Sequence, residues 1–576
     1  MARIRKIEIR NFRAVCSLEW CPSPGVNCLI GPGDSGKSTI LDAIDFCLGA
    51  RRNLAIADTD FHALDVTQPI GIAVTLGDLA DSMLSIESYG EYLRGFDAAT
   101  GNVEDEPRKG LETVLTVHFA VRADLEPVWS LFSERTASVD PPRGLPWKER
   151  AAIAPSRLGN HPSSNLSWTR GSVLNRLFEE RADIGAELVQ AAREARAGFG
   201  TKAAPQLAAT LKTVTDTANG LGVSVGSRAT ALLDAHSVSF GDGAISLHNA
   251  AGIPLRCLGT GSTRLLIAGL HRAAGNTANI VLVDEIEYGL EPHRLTRLLG
   301  SLGAKETSTP LQVFMTSHSP VVLRELAGSQ LFVVRSTGGT HQALTVGASD
   351  DAQSTIRCYP EAFLARTVIV CEGASEVGLI RGLDEYWTSK GYRSLRASGV
   401  DYVDASGGDA DRCFRRAAAF QQLGYRVAAM QDNDKEPTVA FVAAFEAAGG
   451  YHAIWRDRRA LEDELFASLP TTAVTALLQR GLELMPDGVV DQHIRTRSSG
   501  KISLAVVQAE GAAGSYSAAT RAVLGEASRI RKAGWFKSIT KMEDVARDIV
   551  GPALEHSDAG FVGIINGLFS WAHADA

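Results

Sequence analysis

Long apolar runs are missing from this 576-residue sequence, because none reaches the roughly 18 residues that a membrane-spanning helix requires. The segment from Met1 to Arg10 alternates charged residues with isoleucine, so no signal peptide is expected there. The 8 cysteines form no C-x-x-C pair, which argues against a zinc site and favours a reducing, cytoplasmic location. With 58 Lys and Arg against 66 Asp and Glu, the net charge of -8 excludes a histone-like basic coat.

What is present is the composition of a globular protein with several cores. Hydrophobic residues make up 45% and charged residues 22% of the chain. At about 150 residues per domain, the length predicts three or four domains. The hydrophobic patterns predict mixed α/β structure over 1–165, a helical insertion over 166–235, α/β structure again over 236–350, a second α/β unit over 351–470 and a helical, basic region over 471–576.

A seam of apolar residues runs through the predicted helical insertion. Its positions step alternately by four and three residues and are Leu207, Leu211, Val214, Ala218 and Leu221. This heptad-like spacing predicts a helical hairpin. Both an ordinary packed hairpin and a dimerisation arm fit it.

A glycine-rich segment between a predicted strand and a predicted helix matches the pattern G-x-x-x-x-G-K-[ST]. The candidate nucleotide-binding residues are Gly31, Gly33, Asp34, Ser35, Gly36, Lys37, Ser38 and Thr39. In such a loop the backbone N–H groups cradle phosphates, while Lys37 reaches the outer phosphates and Ser38 binds Mg²⁺. A chance glycine-rich turn would need neither the strand before it nor the helix after it, so the pattern predicts an ATP site.

Later segments supply what an ATP site needs besides its loop. A buried strand ends at Asp284 and Glu285, which we expect to complete the Mg²⁺ shell and to polarise the attacking water, respectively. His318 ends another strand, and a γ-phosphate sensor is favoured there over a purely structural histidine. Gly261 and Ser262 precede a helix and offer backbone N–H groups to a phosphate.

These motifs together resemble the RecF/SMC type of ABC ATPase. The segment Ile9-Arg10-Asn11-Phe12-Arg13 resembles its N-terminal strand, 258–262 its signature motif, and 284–292 its Walker B motif and D-loop. In that family two heads sandwich ATP, with the signature of one head covering the nucleotide of the other. Gly259 stands where the signature usually has serine, so hydrolysis is expected to be slow. Asp58 or Asp60 is the expected counterpart of the Q-loop glutamine.

A second constellation of acids follows the ATPase motifs. Glu372 ends a buried strand, Glu376 lies four residues further on, and Asp432 and Asp434 end another strand. Carboxylates at the ends of parallel strands converge at one sheet edge, where oxygen ligands suit Mg²⁺ or Mn²⁺. A single acid is also common at a solvent-exposed strand end. The metal site is therefore predicted from the four acids together and not from any one of them.

That joint pattern, with Gly407-Gly408 between its two halves, resembles the Toprim domain of topoisomerases, primases and nucleases. An ABC-type ATPase head with a helical insertion, followed by a Toprim α/β domain and a C-terminal helical region, resembles the OLD (overcoming lysogenization defect) family, including Gabija-type anti-phage nucleases. The resemblance implies that Glu462 is a further metal ligand and that Lys537 is a catalytic lysine, alongside Glu372 and Asp432. Without the resemblance, Lys537 is one more lysine in a basic patch.

The function expected from these features is an ATP-regulated, metal-dependent DNA endonuclease in anti-phage defence. A non-catalytic ABC-type sensor or scaffold is the alternative, and a topoisomerase or primase would need catalytic machinery that does not stand out. The resemblance implies DNA as a partner, a homodimer or homotetramer, and a helicase or reverse-transcriptase companion, with no membrane partner.

Overall fold

A computed structural model describes residues 2–158 except 52 and 140, 185–231 except 222, 247–273, 279–307 and 310–574. The larger sheet has 13 strands: β1 Arg3–Phe12, β2 Val15–Trp20, β3 Val26–Ile30, β4 Ile70–Gly77, β5 Leu93–Phe96, β6 Val103–Glu104, β7 Glu112–Val121, β8 Pro127–Phe132, β9 Ser156–Leu158, β10 Ile280–Val283, β11 Gln312–Thr316, β12 Leu331–Thr337 and β13 Thr340–Thr345. The helices of this part are α1 Lys37–Leu48, α2 Ile86–Tyr89, α3 Trp147–Ile153, α4 Gly185–Ala203, α5 Ala208–Gly220, α6 Thr260–Ala273, α7 Pro292–Ser301, α8 Pro320–Glu325 and α9 Asp350–Cys358.

The larger sheet has a parallel part and a mainly antiparallel part. Strands β9, β10, β11, β3 and β12 are neighbours in that order and run parallel. Every residue of β3 and β10 is buried, as expected for parallel strands covered on both faces. On the other side of β12 the order continues β13, β2, β1, β4, β7, β5 and β6, with β8 also paired to β7. Helix α1 packs Ile40, Leu41 and Ile44 into the core of this antiparallel part.

Helices α4 and α5 belong to the predicted helical insertion. Residues 166–184 and 232–235 of that insertion lie outside the described residues. Helix α4 continues through Gly198 and Gly200. Of the predicted seam, Leu207, Val214 and Leu221 are exposed in the single chain. This arm therefore presents apolar side chains to the outside.

The second α/β unit contains a separate sheet. Its strands are β14 Thr367–Cys371, β15 Val400–Asp404, β16 Arg426–Gln431 and β17 Tyr451–Ile454, all parallel in the order β15-β14-β16-β17. Helices α10 Ala374–Ser389, α11 Ala410–Gln422 and α12 Val439–Ala447 connect them in turn. The chain leaves β14 for β15 on one side and then returns to β16 on the other. In such sheets ligands bind at the carboxyl ends of the strands where the order reverses.

The C-terminal region is helical. Its helices are α13 Leu461–Ser468, α14 Thr471–Leu484, α15 Val489–Arg497, α16 Leu504–Ala512, α17 Ala518–Ser528, α18 Ile539–Val545, α19 Gly551–Ala553 and α20 Ala559–His573, with a π-helical turn at Ala546–Val550. They share one apolar core with α10 and with one face of the second sheet. The predicted fold class is confirmed, whereas the individual domain bounds stay predictions. No helix among the described residues is long and apolar enough to cross a membrane.

One apolar core continues from the larger sheet into the second. Val333 of β12, Val370 of β14 and Phe414 of α11 belong to the same buried cluster. Polar contacts reinforce this junction, because Arg335 Nη2 donates to Ala365 O at 3.0 Å and the Arg335 guanidinium lies 3.8 Å from the ring centre of Tyr425. The two units are therefore packed together and not merely tethered.

Truncating a side chain in this shared core should destabilise the protein. Phe414 is 1% exposed, so Phe414→Ala is expected to lower the free energy of unfolding by about 3–5 kcal/mol. The control is Phe441→Ala on α12, because Phe441 is 41% exposed and should matter little. Urea denaturation followed by circular dichroism measures both, and equal midpoints for the two variants would contradict the packing described.

Candidate ATP site and acidic metal centre

The turn between β3 and α1 has the shape that a phosphate requires. Gly31, Asp34 and Gly36 have φ of 131, 59 and 85°. A Cβ on Gly31 would lie 2.9 Å from Val334 O of β12, so only glycine fits against that strand. Gly36 caps α1 without any side-chain hydrogen bond, which leaves the first N–H groups of the helix to an anion.

Lys37 is folded back onto this turn. Its Nζ donates to Pro32 O at 2.7 Å and to Gly31 O at 3.2 Å. Burial lowers the pKa of Lys37 to about 8, although Asp34 and Asp284 oppose this shift. The remaining predicted loop residues lie in the turn and the first turn of α1, and they are Gly33, Ser35, Ser38 and Thr39. A phosphate in the turn would therefore meet a cation already in place.

Asp284, directly after β10, connects the start of α1 with the end of β11. Its Oδ1 accepts hydrogen bonds from Ser38 Oγ at 2.9 Å and from Thr316 Oγ1 at 2.6 Å. The Thr316 hydroxyl in turn accepts from the backbone N–H of Glu285 at 2.8 Å. Ser38 and Asp284, the two residues expected at the Mg²⁺ of ATP, are thus adjacent. No pattern in the sequence marks Thr316 as part of this site.

His318 is held near the same site by a residue that the sequence analysis did not single out. Glu287 accepts the backbone N–H of His318 at 2.7 Å and the Ser317 hydroxyl at 2.8 Å. Burial, together with the positive charge of Lys37, lowers the pKa of His318. A neutral imidazole beside the phosphate turn can accept or donate a hydrogen bond, as a phosphate sensor must.

The predicted signature residues do not meet the turn of their own chain. The side chain of Ser262 accepts a hydrogen bond from Arg294 at 3.1 Å, and a Cβ on Gly261 would lie 2.8 Å from Gly289 O. No hydrogen bond within the described ranges joins Gly261 or Ser262 to residues 31–38. Arg264 of α6 instead fastens the segment after β10, since its guanidinium donates to the backbone oxygens of residues 284, 285, 286 and 288.

The acids of the second constellation gather at the carboxyl edge of β14 and β16. Glu372 accepts the backbone N–H of Asp432 at 3.2 Å, and Asp432 Oδ1 accepts that of Leu461 at 2.9 Å. Glu376 accepts the N–H of Gly373 at 2.9 Å, which also caps α10. Glu462 is 3% exposed, and its Oε1 has no hydrogen-bond partner in the described chain.

These carboxylates repel one another. Burial and the charge of Glu462 raise the pKa of Glu376 to about 8. Burial, and then the charges of Glu376 and Glu462, raise the pKa of Asp432 well above its usual range. Burial also raises the pKa of Glu372 and of Glu462, and Lys537 opposes both shifts. A divalent cation would relieve this repulsion and release the bound protons.

Two basic residues of the C-terminal region face the acids. Arg529 Nη1 pairs with Asp434 at 2.9 Å, and its Nε pairs with Asp463 at 3.0 Å. Lys537 is exposed, and its stem packs against Gly534, where a Cβ would lie 2.7 Å from Lys537 Cγ. Its positive charge opposes the rise in the pKa values of Glu372 and Glu462 that burial causes. No pattern in the sequence marks Arg529 as a partner of these acids.

The donor set fits Mg²⁺ or Mn²⁺ better than a softer metal, because it consists of carboxylate oxygens. The unpartnered Oε1 of Glu462 is an oxygen that a cation would satisfy. Among the described residues, however, no three acidic, histidine or cysteine side chains already converge as a ligand set. Binding would therefore require the side chains to rearrange, and Asp434 would also have to leave Arg529.

Comparison with known families agrees with this architecture. Residues 3–122 match a model described as AAA ATPase domain, and residues 127–324 match the AAA domain model associated with the AbiEii toxin of a type IV toxin–antitoxin system. Residues 363–434 match the Toprim domain model of overcoming lysogenization defect-like proteins. The matches describe an ATPase domain followed by a Toprim domain, and the ATPase domains imply ATP binding. Within that class, the resemblance to the OLD family is confirmed.

Individual relatives match only parts of the chain. A stretch of 45 residues is 47% identical to the DNA replication and repair protein RecF of Prosthecochloris aestuarii and covers 12% of that protein and 8% of this chain. RecF of Chlorobium luteolum is 42% identical over 45 residues, again 12% of its length. A solved Smc head bound to the C-winged helix domain of ScpA is 15% identical with a TM-score of 0.33, over 59% of this chain and 97% of that one. RecF with a bound ATP analogue is 11% identical with a TM-score of 0.29, over 60% and 98%.

The contacts of Arg264 lead to a prediction about the ATP site. Arg264→Lys keeps the charge but removes the planar fork that serves several carbonyls, so we expect a loss of about 2–4 kcal/mol of stability at roughly 1 kcal/mol per bond. ATP turnover should fall as well, because the segment carrying Asp284 and Glu285 loses its anchor. Arg272→Lys on the exposed side of α6 is the matched control. If Arg264→Lys and Arg272→Lys have the same urea midpoint and the same rate of phosphate release, Arg264 does not anchor the segment after β10.

Proposed function

We propose that this protein is an ATP-regulated, divalent-metal-dependent DNA endonuclease. The observation that carries the proposal is the group of acids at one sheet edge, the buried Glu372, Glu376 and Glu462 and the half-buried Asp432, with Lys537 within electrostatic reach of Glu372 and Glu462. DNA as substrate is supported by the relatives named as DNA replication and repair proteins. A role in anti-phage defence, in the cytoplasm, follows from the resemblance to Gabija-type nucleases.

In this proposal each residue of the acidic edge has a distinct task. Glu372, Glu376, Asp432, Asp434 and Glu462 would hold two Mg²⁺ or Mn²⁺ ions, which when bound would supply an activated water and stabilise the leaving oxygen of the phosphodiester. Arg529 keeps Asp434 neutralised until a cation takes its place. Lys537 donates from its exposed Nζ to the scissile phosphate and stabilises the developing charge.

The ATPase half works as a second, separate site. Lys37 binds the outer phosphates, Ser38 and Asp284 hold the Mg²⁺ of ATP, Glu285 polarises water and His318 contacts the γ-phosphate. Gly261 and Ser262 face the segment 289–294 of their own chain. In the proposal they therefore contact the phosphates of the ATP that is bound to a second copy of the protein. The proposal therefore includes a homodimer or homotetramer, with the exposed seam of α5 as a contact. The proposal also includes a helicase or reverse transcriptase as a partner protein.

A non-catalytic ABC-type sensor or scaffold is the second candidate. It is favoured by the Arg529–Asp434 ion pair and by the absence, among the described residues, of three converged ligands. A plasmid-nicking assay with Mg²⁺ or Mn²⁺, with and without ATP, separates the two candidates. Metal-dependent nicking supports the endonuclease, and its absence in every condition supports the scaffold.

Replacing the water-polarising carboxylate should separate ATP binding from ATP turnover. In Glu285→Gln we expect unchanged affinity for ATP and turnover lower by about 10²–10⁴-fold, the usual contribution of a general base. Glu291→Gln, an exposed acid six residues further on, should behave like the parent protein. Phosphate release and fluorescent-nucleotide binding measure the two quantities. Parental turnover by Glu285→Gln would show that another residue polarises the water.

Replacing residues of the acidic edge should stop DNA cleavage without stopping ATP hydrolysis. Asp432→Ala removes a metal ligand, so nicking should disappear while ATP turnover continues at its own Mg²⁺ site. Lys537→Ala should reduce cleavage by about 10²-fold or more at nearly unchanged DNA affinity, because its charge acts in the transition state.

The matched control for Lys537 is Lys532→Ala, an exposed lysine in the same segment. If Lys537 only binds backbone phosphate, both lysine variants should bind DNA slightly more weakly and cleave normally at saturating DNA. That outcome would reject the catalytic role of Lys537. Normal cleavage by Asp432→Ala would reject the endonuclease proposal as a whole.

A further inference from the structure

A cavity of about 240 Å³ lies where the two α/β units meet. Its apolar wall comes from Leu344 and Val346 on the ATPase side and from Phe363, Phe420 and Leu423 on the side of the second sheet. None of these residues belongs to the ATP site or to the acidic edge. The cavity is thus a separate concave site within the junction that joins the two units.

A buried cation forms part of the cavity wall. Arg416 of α11 is 9% exposed and lines the cavity. Its Nη1 donates to the backbone oxygen of Asp404 at 2.7 Å, whereas its buried Nε has no hydrogen-bond acceptor among the described residues. No carboxylate of a described residue lies within the 4.0 Å ion-pair distance of the Arg416 guanidinium. A buried donor without an acceptor is destabilising, and an acceptor on a ligand would satisfy it.

We propose that this cavity binds a small amphipathic anion, a single apolar ring or branched chain that carries a carboxylate or phosphate group, with Arg416 as its counter-ion. Drug-sized ligands occupy pockets of about 300–1,000 Å³, so this volume suits a smaller molecule. The apolar residues bury the body of the ligand and the guanidinium binds its charged group. Thr345, Ser349 and Gln422 add polar groups at the wall.

The position of Arg416 connects the cavity to the acidic edge. The backbone oxygen that Arg416 holds belongs to the last residue of β15. Three residues further on, Gly407 N donates to the backbone oxygen of Glu372 at 2.7 Å. A ligand that draws Arg416 towards the cavity would therefore shift the segment 404–407 against Glu372. This regulatory consequence rests on the proposed nuclease function, whereas binding to the cavity does not.

The test titrates the full-length protein with benzoate and with phenyl phosphate in ligand-observed NMR and calorimetry. Saturating ADP is present so that the phosphate turn is filled. Benzyl alcohol serves as the neutral probe and inorganic phosphate as the probe without an apolar body. The variants are Arg416→Gln, its neighbour Arg415→Gln on the exposed side of α11, and Ala419→Phe, which fills the cavity.

At least one of the two ring anions should bind the parent protein about ten-fold or more tightly than benzyl alcohol, because a charged hydrogen bond is added. Arg416→Gln should lose that preference, Ala419→Phe should lose binding, and Arg415→Gln should bind as the parent does. The proposal is overturned if neither anion is preferred, or if Arg416→Gln or Ala419→Phe binds like the parent. Circular dichroism checks that each variant is folded. Because binding is measured without DNA, a failure here is distinct from a failure of the nuclease proposal.

Hydrogen–deuterium exchange tests the regulatory step on the same samples. The preferred anion should change exchange in residues 404–407 of the parent protein and of Arg415→Gln, but not of Arg416→Gln. Binding without any change in this segment would overturn the proposed transmission to the acidic edge.

Discussion

The buried junction between the two sheets is the constraint on which the rest of this structure depends. Apolar residues from β12, β14 and α11 form one core, and Arg335 connects the end of β12 to Ala365 and Tyr425. The same strand touches the phosphate turn, because Gly31 has room only for hydrogen against Val334 O. A nucleotide that moves the turn therefore acts on a strand packed against the second sheet. In the proposed function, this contiguous packing would couple ATP binding to the acidic edge.

The two candidate sites contain buried groups of opposite charge, a lysine at the ATP site and carboxylates at the acidic edge. At the ATP site, burial makes the charged form of Lys37 less favourable, and incoming phosphates would restore it. At the acidic edge, burial and mutual repulsion disfavour the charged carboxylates, and incoming cations would restore them. Each site is thus arranged for a ligand of the charge that it lacks. Arg529 and Lys537, both from the C-terminal region, offset part of the negative charge at the acidic edge. The C-terminal region is therefore part of this site.

The sequence predicted those features that depend on local backbone geometry. The phosphate turn needs glycine at Gly31 and Gly36 because their φ values are positive, so its spacing is visible in the sequence. Acids at strand ends were placed correctly at one edge, because parallel strands bring their carboxyl ends together. The family resemblance added Glu462, which the structure places in the same buried group. Its role as a metal ligand stays a prediction.

Features created by tertiary contact were not visible. Thr316, Glu287 and Arg529 gain their roles from partners distant in sequence, and no local pattern marks them. The docking of the C-terminal helices across α10 was equally hidden, because an amphipathic pattern shows that a face is buried but not against which element. The apolar seam of α5 is the opposite case. Its pattern was predicted, but Leu207, Val214 and Leu221 are exposed in the single chain.

Hydrogen–deuterium exchange with a non-hydrolysable ATP analogue tests most directly whether the phosphate turn and the acidic edge are mechanically connected. In the parent protein the analogue should slow exchange in residues 31–38 and also in β16 and residues 432–434. In Arg335→Gln the analogue should still protect residues 31–38, while the effect on β16 should be lost with the contacts to Ala365 and Tyr425. Protection confined to residues 31–38 in the parent protein, or an unchanged effect on β16 in Arg335→Gln, would contradict the account.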